Sequence, residues 1–135
     1  MSIRRLFVAN RGEIALRIVR AAKALGIETV LGASKADLES LAAQEADRTV
    51  VIGPAPARAS YLSAPLLVHA ASACGCDALH PGYGFLSERA EFAALCEREN
   101  IVFVGPRSET IRAVGDKLSA RELAKSAGVD RKSVV

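Results

Sequence analysis

Two short segments carry most of the side chains with chemical use. His80-Pro81-Gly82-Tyr83-Gly84-Phe85-Leu86-Ser87-Glu88 sets two glycines and a proline around a tyrosine. Glycine lets backbone N–H groups approach a ligand closely, and the Tyr83 ring offers a flat apolar face ending in a hydroxyl. That is binding chemistry, and a purely structural turn is the competing reading. The second segment is Asn10-Arg11-Gly12-Glu13. A dinucleotide fingerprint here would need three glycines and an acidic residue closing the second strand. Only Gly12 is present and Ala33-Ser34-Lys35 closes that strand, so a nicotinamide or flavin dinucleotide is not expected at this turn.

Lys117 follows Gly115-Asp116 and reads as part of the first turn of a helix, with Asp116 as its N-cap. A cation there opposes the helix dipole by a few tenths to about 1 kcal/mol. It is either a tolerated surface lysine or a point charge aimed at a phosphate. His69, Cys74, Cys76 and His80 fall close together, but one residue separates the cysteines and His69 lies inside a predicted helix. Structural zinc uses cysteine pairs two to four residues apart in a loop, so no metal site is expected and the cysteines read as buried.

These segments need a scaffold. Strand-length apolar runs at about Arg5–Ala9, Thr29–Ala33, Thr49–Ile52, Ala78–His80 and Ile101–Val104 alternate with helical patterns. This alternation predicts an α/β fold, a Rossmann-like parallel sheet of about five strands. In the first helix Ile14, Ile18, Ala21, Ala22 and Leu25 share a face and Arg17, Arg20 and Lys23 take the other, with Gly26 at the C-terminal cap. Ser63 and Pro65 open a third helix. After the fifth strand, 108–114 and 117–126 read as two helices divided by Gly115-Asp116. A strand order of 3-2-1-4-5 places the reversal of the sheet between strands one and four, where ligands of open parallel sheets bind. Both segments above leave those two strands.

The chain of 135 residues supports one core. Half its residues are hydrophobic but only 4% are aromatic, which points to close packing of small aliphatic side chains. No apolar run reaches the 18 residues of a membrane helix, the strand-length apolar stretch after Arg4 and Arg5 is too short for a signal peptide, and three cysteines make no disulfide framework. A cytoplasmic chain without a membrane partner is expected. Charge is uneven: residues 1–25 carry six basic and one acidic group, residues 26–106 five and ten, and residues 107–135 seven and four. No aromatic residue is interleaved with the basic groups of the first helix, so that face reads as solvated and no nucleic-acid partner is expected.

Five motifs in order, VANRGEIALRI at 8–18, IGPAPARASYL at 52–62, ALHPGYGFLSE at 78–88, FVGP at 103–106 and GDKLSA at 115–120, give the chain a close resemblance to the N-terminal domain of biotin carboxylase. That family carboxylates biotin with ATP and bicarbonate within acetyl-CoA and other acyl-CoA carboxylases. The resemblance implies a Rossmann-like domain over residues 1–107, followed at 108–129 by helices leading toward an ATP-grasp domain. It implies that Lys117 contacts ATP phosphates, and that Tyr83 and Gly84, supported by His80 and Glu88, face biotin carried on a carrier protein. It also implies Mg as a cofactor of the whole enzyme, the remaining carboxylase domains as partners, and a homodimer face around Arg17 and Arg20. Residues 130–135 depart from the family pattern, and the sequence holds none of the groups that activate bicarbonate. The chain is therefore expected to be an N-terminal segment, inactive alone. The alternative is a non-catalytic folded module that binds a partner or another copy.

Overall fold

The computed structural model describes residues 2–126. Strand β1, Arg5–Val8, sends Leu6 and Val8 to one face of the sheet and Phe7 to the other. Helix α1, Gly12–Ala24, buries Ala15, Ile18, Val19 and Ala22; of the face read from the sequence, Ile18 and Ala22 are buried and Ile14 is half-buried, but Ala21 and Leu25 are exposed, because the face that meets the sheet is turned toward Ala15 and Val19. It ends at Gly26, whose φ of +73° lets the Ile27 N–H reach the Ala22 carbonyl at 2.9 Å and its own N–H reach Lys23 at 3.0 Å.

Strand β2, Glu28–Ala33, leads through a 3-10 turn at Lys35–Asp37 to the short helix α2, Leu41–Glu45, which the Ser40 hydroxyl caps by accepting from the Ala43 N–H. Strand β3 is Arg48–Val51, a second 3-10 turn is Ala57–Ala59, and helix α3 is Ala64–Ala73. Strand β4, Ala78–His80, helix α4, Ala90–Arg98, strand β5, Val102–Phe103, and helix α5, Ser108–Ser126, complete the chain order.

The five strands are parallel in the order β3-β2-β1-β4-β5, as the alternation of the sequence predicts. Register places Val8 beside Leu31 on one side and His80 on the other, so the ends of β1 and β4 are level. Such a sheet needs apolar cover on both faces. Phe7, Val30, Leu79, Phe92 and Cys96 form the layer with α3 and α4, where Phe92 meets Phe103 edge-on at 5.7 Å. Leu6, Val8, Ile18, Val19 and Leu31 form the layer with α1 and α2. Among the described residues no helix is long and apolar enough to cross a membrane.

Three other expectations change. The two C-terminal helices are one, because Gly115 takes no positive φ and a glycine inside a helix costs about 1 kcal/mol without breaking it. Lys117 accordingly sits mid-helix, and Asp116 caps nothing. Ser63 precedes α3 but makes no capping bond, leaving Pro65 as the start signal. The tail at 130–135 lies outside the described residues.

Candidate functional site

The loops leaving β1 and β4 meet, and Asn10 joins them. Its side chain is buried; Nδ2 donates to the Pro81 carbonyl at 2.8 Å and the Tyr83 carbonyl at 2.9 Å, while Oδ1 accepts from the Arg11 N–H at 2.8 Å. The backbone can pass this close only at a glycine: a Cβ on Gly82, whose φ is +66°, would lie 2.7 Å from both Asn10 Nδ2 and Ile14 Cγ2. His80 continues the arrangement, its Nδ1 accepting from the Gly82 N–H at 3.0 Å. Burial lowers the His80 pKa, which favours the neutral ring that this acceptor role requires.

A second tie fixes the far side of the loop. Phe85 stacks on Tyr61 with centroids 5.3 Å apart and planes 21° apart. Phe85 has a φ of 45°, in the left-handed region that costs a bulky residue roughly 1–2 kcal/mol. Tyr61 is itself held: its hydroxyl donates to Asp37 Oδ2 at 2.6 Å and accepts from the Ser34 N–H at 3.0 Å. Asp37 also accepts from the Ser34 hydroxyl at 3.0 Å and from Arg11 Nη2 at 2.8 Å, and the Arg11 guanidinium lies 5.5 Å from the centre of the Tyr61 ring. Burial pushes the Asp37 carboxyl upward, but the hydrogen bonds from Tyr61, Arg11 and Ser34 outweigh it and hold the pKa below its ordinary value. Tyr61 is raised by burial and then by its bond to the carboxylate. Sequence reasoning singled out the Asn10-Arg11-Gly12-Glu13 segment without giving Asn10 or Arg11 a role of its own, and assigned none to Asp37 or Tyr61; the signal available for Tyr61 was its place within IGPAPARASYL as one of only two tyrosines.

Held from both ends, the loop presents Tyr83 to solvent, 67% exposed. On one side Tyr83, His80 and Gly82 line a small pocket of about 140 Å³ with Ile14, Arg17 and Ile18 of α1. On the other side Gly82, Ser87 and Glu88 face Ile111, Val114 and Leu118 of α5 across a groove of about 490 Å³. Gly84 has open space around it, at a φ of +74°. Lys117 is exposed on α5; its neighbours Leu118 and Gly115 line the groove, and Lys117 does not. On α1, Arg17 approaches Glu13 at 3.7 Å, whereas Arg20 makes a two-pronged bond to Glu45 of α2 at 2.8 and 2.9 Å. The structure thus brings His80 and Tyr83 together with Arg17, sets Glu88 on the opposite lip, and leaves Lys117 and Arg20 apart from them.

The Cys76 and Cys96 thiols are pushed to about 12 by burial and carry no thiolate at neutral pH. Among the described residues no group of three or more His, Cys, Asp and Glu side chains could hold a metal ion. His69 is exposed on α3, and the three cysteines are free.

Residues 2–111 match the family described as "Biotin carboxylase, N-terminal domain". The chain is 54% identical over 127 residues to the biotin carboxylase of Pseudomonas aeruginosa, covering 94% of this chain and 28% of that protein. It is 51% identical over 127 residues to the mitochondrial methylcrotonoyl-CoA carboxylase subunit alpha of Glycine max, covering 94% of this chain and 17% of that protein. Among solved structures, the biotin carboxylase domain dimer of Hydrogenobacter thermophilus 2-oxoglutarate carboxylase, in complex with MgADP, ADP and bicarbonate, is similar with a TM-score of 0.84 and 43% identity, over 96% of this chain and 28% of that one. The chain therefore spans less than a third of the length of these relatives.

Proposed function

The chain belongs to the biotin carboxylase N-terminal domain family, and we propose that it supplies the biotin-side loop of an ATP- and bicarbonate-dependent biotin carboxylase. The observation that carries this reading is the double anchoring of the His80–Glu88 loop at the switch point of the sheet, with Tyr83 on its exposed lip.

The residues present suit biotin. Its fused ring system is compact and bears an amide-like ureido group, and a flat Tyr83 face beside the unhindered backbone at Gly84 offers stacking area and N–H donors. Biotin supplies the nitrogen that accepts the carboxyl group; this chain orients it. His80, neutral, holds the Gly82 N–H and so fixes the approach of the loop, and Glu88 lines its other edge. In this reading Lys117 contributes charge toward ATP phosphates once the ATP-grasp domain lies against α5. No described residues gather to hold Mg, and its ligands belong to that other domain. Partners are the remaining carboxylase domains, a biotin carrier protein, and a second copy through the α1 face of Arg17 and Arg20. The setting is the cytoplasm, where the free thiols of Cys74, Cys76 and Cys96 stay reduced.

The test is a chimera joining residues 1–126 to the remainder of the Pseudomonas aeruginosa biotin carboxylase. It should cleave ATP in a bicarbonate- and biotin-dependent manner, and Tyr83→Ala should raise the KM for biotin about tenfold, the loss of a stacking contact worth roughly 1.4 kcal/mol. The 135-residue chain by itself should cleave none, because phosphoryl transfer depends on metal and charge positioned around the γ-phosphate. A chimera that melts cooperatively yet lacks the activity, or activity in the isolated chain, would overturn the proposal.

A further inference from the structure

We propose that Asp37 is a positioning residue for the His80–Glu88 loop, acting through Tyr61 on Phe85 and through Arg11 on the Asn10 clamp. The inference rests on the reading of that loop as the biotin side.

Three observations converge on one carboxylate. The first is the backbone at Phe85. Among the described residues only Phe85 and Asn100 combine a side chain with a positive φ. Asn100 follows a helix end, where asparagine tolerates this conformation. A phenylalanine does not tolerate it so readily, and something must over-determine it. The Tyr61 ring, stacked at 5.3 Å, is the packing partner that does so.

The second observation is that Tyr61 has no freedom of its own. It is 1% exposed, and its hydroxyl both donates to Asp37 at 2.6 Å and accepts from Ser34 at 3.0 Å. A pure packing role would be met by phenylalanine; the hydroxyl specifies where the ring lies. The third is that the same carboxylate takes Arg11 Nη2 at 2.8 Å, and Arg11 adjoins Asn10, whose carboxamide holds the Pro81 and Tyr83 carbonyls. The loop is thus referenced at both ends to Asp37, a residue lying beyond the end of β2 and touching neither Tyr83 nor Gly84 in any hydrogen bond.

Asp37→Asn keeps the shape but replaces one acceptor oxygen with a donor nitrogen, so the carboxylate bonds from Tyr61, Ser34 and Arg11 cannot all persist. Tyr61→Phe keeps the stack and removes only the hydroxyl. Amide exchange in the 135-residue chain reads the result at Gly82, Ser87 and Arg89, whose N–H groups bond to His80 Nδ1, Gly84 O and Leu86 O. Ile52 and Val104, which follow β3 and β5 and whose N–H groups bond to Ala33 of β2 and Leu79 of β4, serve as references. Each variant should speed exchange in the loop at least tenfold more than at the references, and the double variant no more than the stronger single one. Loop exchange that rises only in step with Ile52 and Val104, or single effects that multiply in the double variant, would overturn the positioning role. Should Asp37→Asn not fold, Tyr61→Phe decides alone. In the chimera, both variants should raise the KM for biotin severalfold with the KM for ATP unmoved. Faster loop exchange without that change in KM would support the positioning role and overturn the biotin-side reading; a KM for biotin sensitive to Tyr83→Ala, with no local exchange effect from Asp37→Asn, would do the reverse.

Discussion

Gly82 and Gly84 flank the same tyrosine and share a left-handed backbone, at φ +66° and +74°, yet they meet different surroundings. Alanine at either position takes on the strain of that region, about 1 kcal/mol or somewhat more. Only at Gly82 does the added methyl run into Asn10 and Ile14, each 2.7 Å away, so Gly82→Ala also displaces the buried carboxamide from two carbonyls, at a further cost of about 1–3 kcal/mol. Urea unfolding should therefore show Gly82→Ala destabilised by roughly 2–4 kcal/mol and Gly84→Ala by about 1 kcal/mol. Equal losses would mean that the Asn10 clamp yields freely. The loop itself is legible in the sequence because Gly, Pro and Tyr crowd into it in an otherwise aromatic-poor chain. Its supports are not. Asp37 and Tyr61 are 24 residues apart and Arg11 and Asp37 are 26 apart, so no periodicity relates them.

At the scale of elements, legibility follows from burial. β1, β2, β4, α1 and α4 each place a regular apolar stripe against the core, and their positions follow from that stripe to within a residue or two. In α5 most side chains are exposed from Arg112 to Glu122, so no stripe bridges the Gly115-Asp116 pair and the glycine reads as a break. Only the backbone shows that the helix runs through it. Gly115 has no neighbour within 4 Å of where a Cβ would lie, so Gly115→Ala should gain the helix propensity of alanine, about 1 kcal/mol, with no steric cost. Amides on either side of it, at 112–119, should exchange up to about fivefold more slowly. Faster exchange there would mean that the helix is broken at Gly115 in solution.

Across the whole molecule, the uneven charge of the sequence becomes a set of pairings. Arg5, Arg11 and Arg20, from the strongly basic first 25 residues, meet Glu28, Asp37 and Glu45, from the acidic middle, each at 2.8 Å. The exposed pairs contribute little individually, but Asp37 is mostly shielded and its hydrogen bonds hold it below its ordinary pKa against the pull of burial. A carboxylate depressed in the folded state stabilises the fold fully above its unfolded pKa, about 3.9, and that contribution is lost as pH falls through the lower folded value. Urea unfolding at a series of pH values should show wild-type stability falling below about pH 4. Asp37→Asn should be less stable than wild type at pH 7, with the gap closing through the same acid range, because a protonated Asp37 and the neutral amide of the variant both lack the charge that Arg11 meets. A gap of constant size from about pH 7 to about pH 3 would assign the loss to packing alone and remove the carboxylate charge from the account of what ties the two loops together.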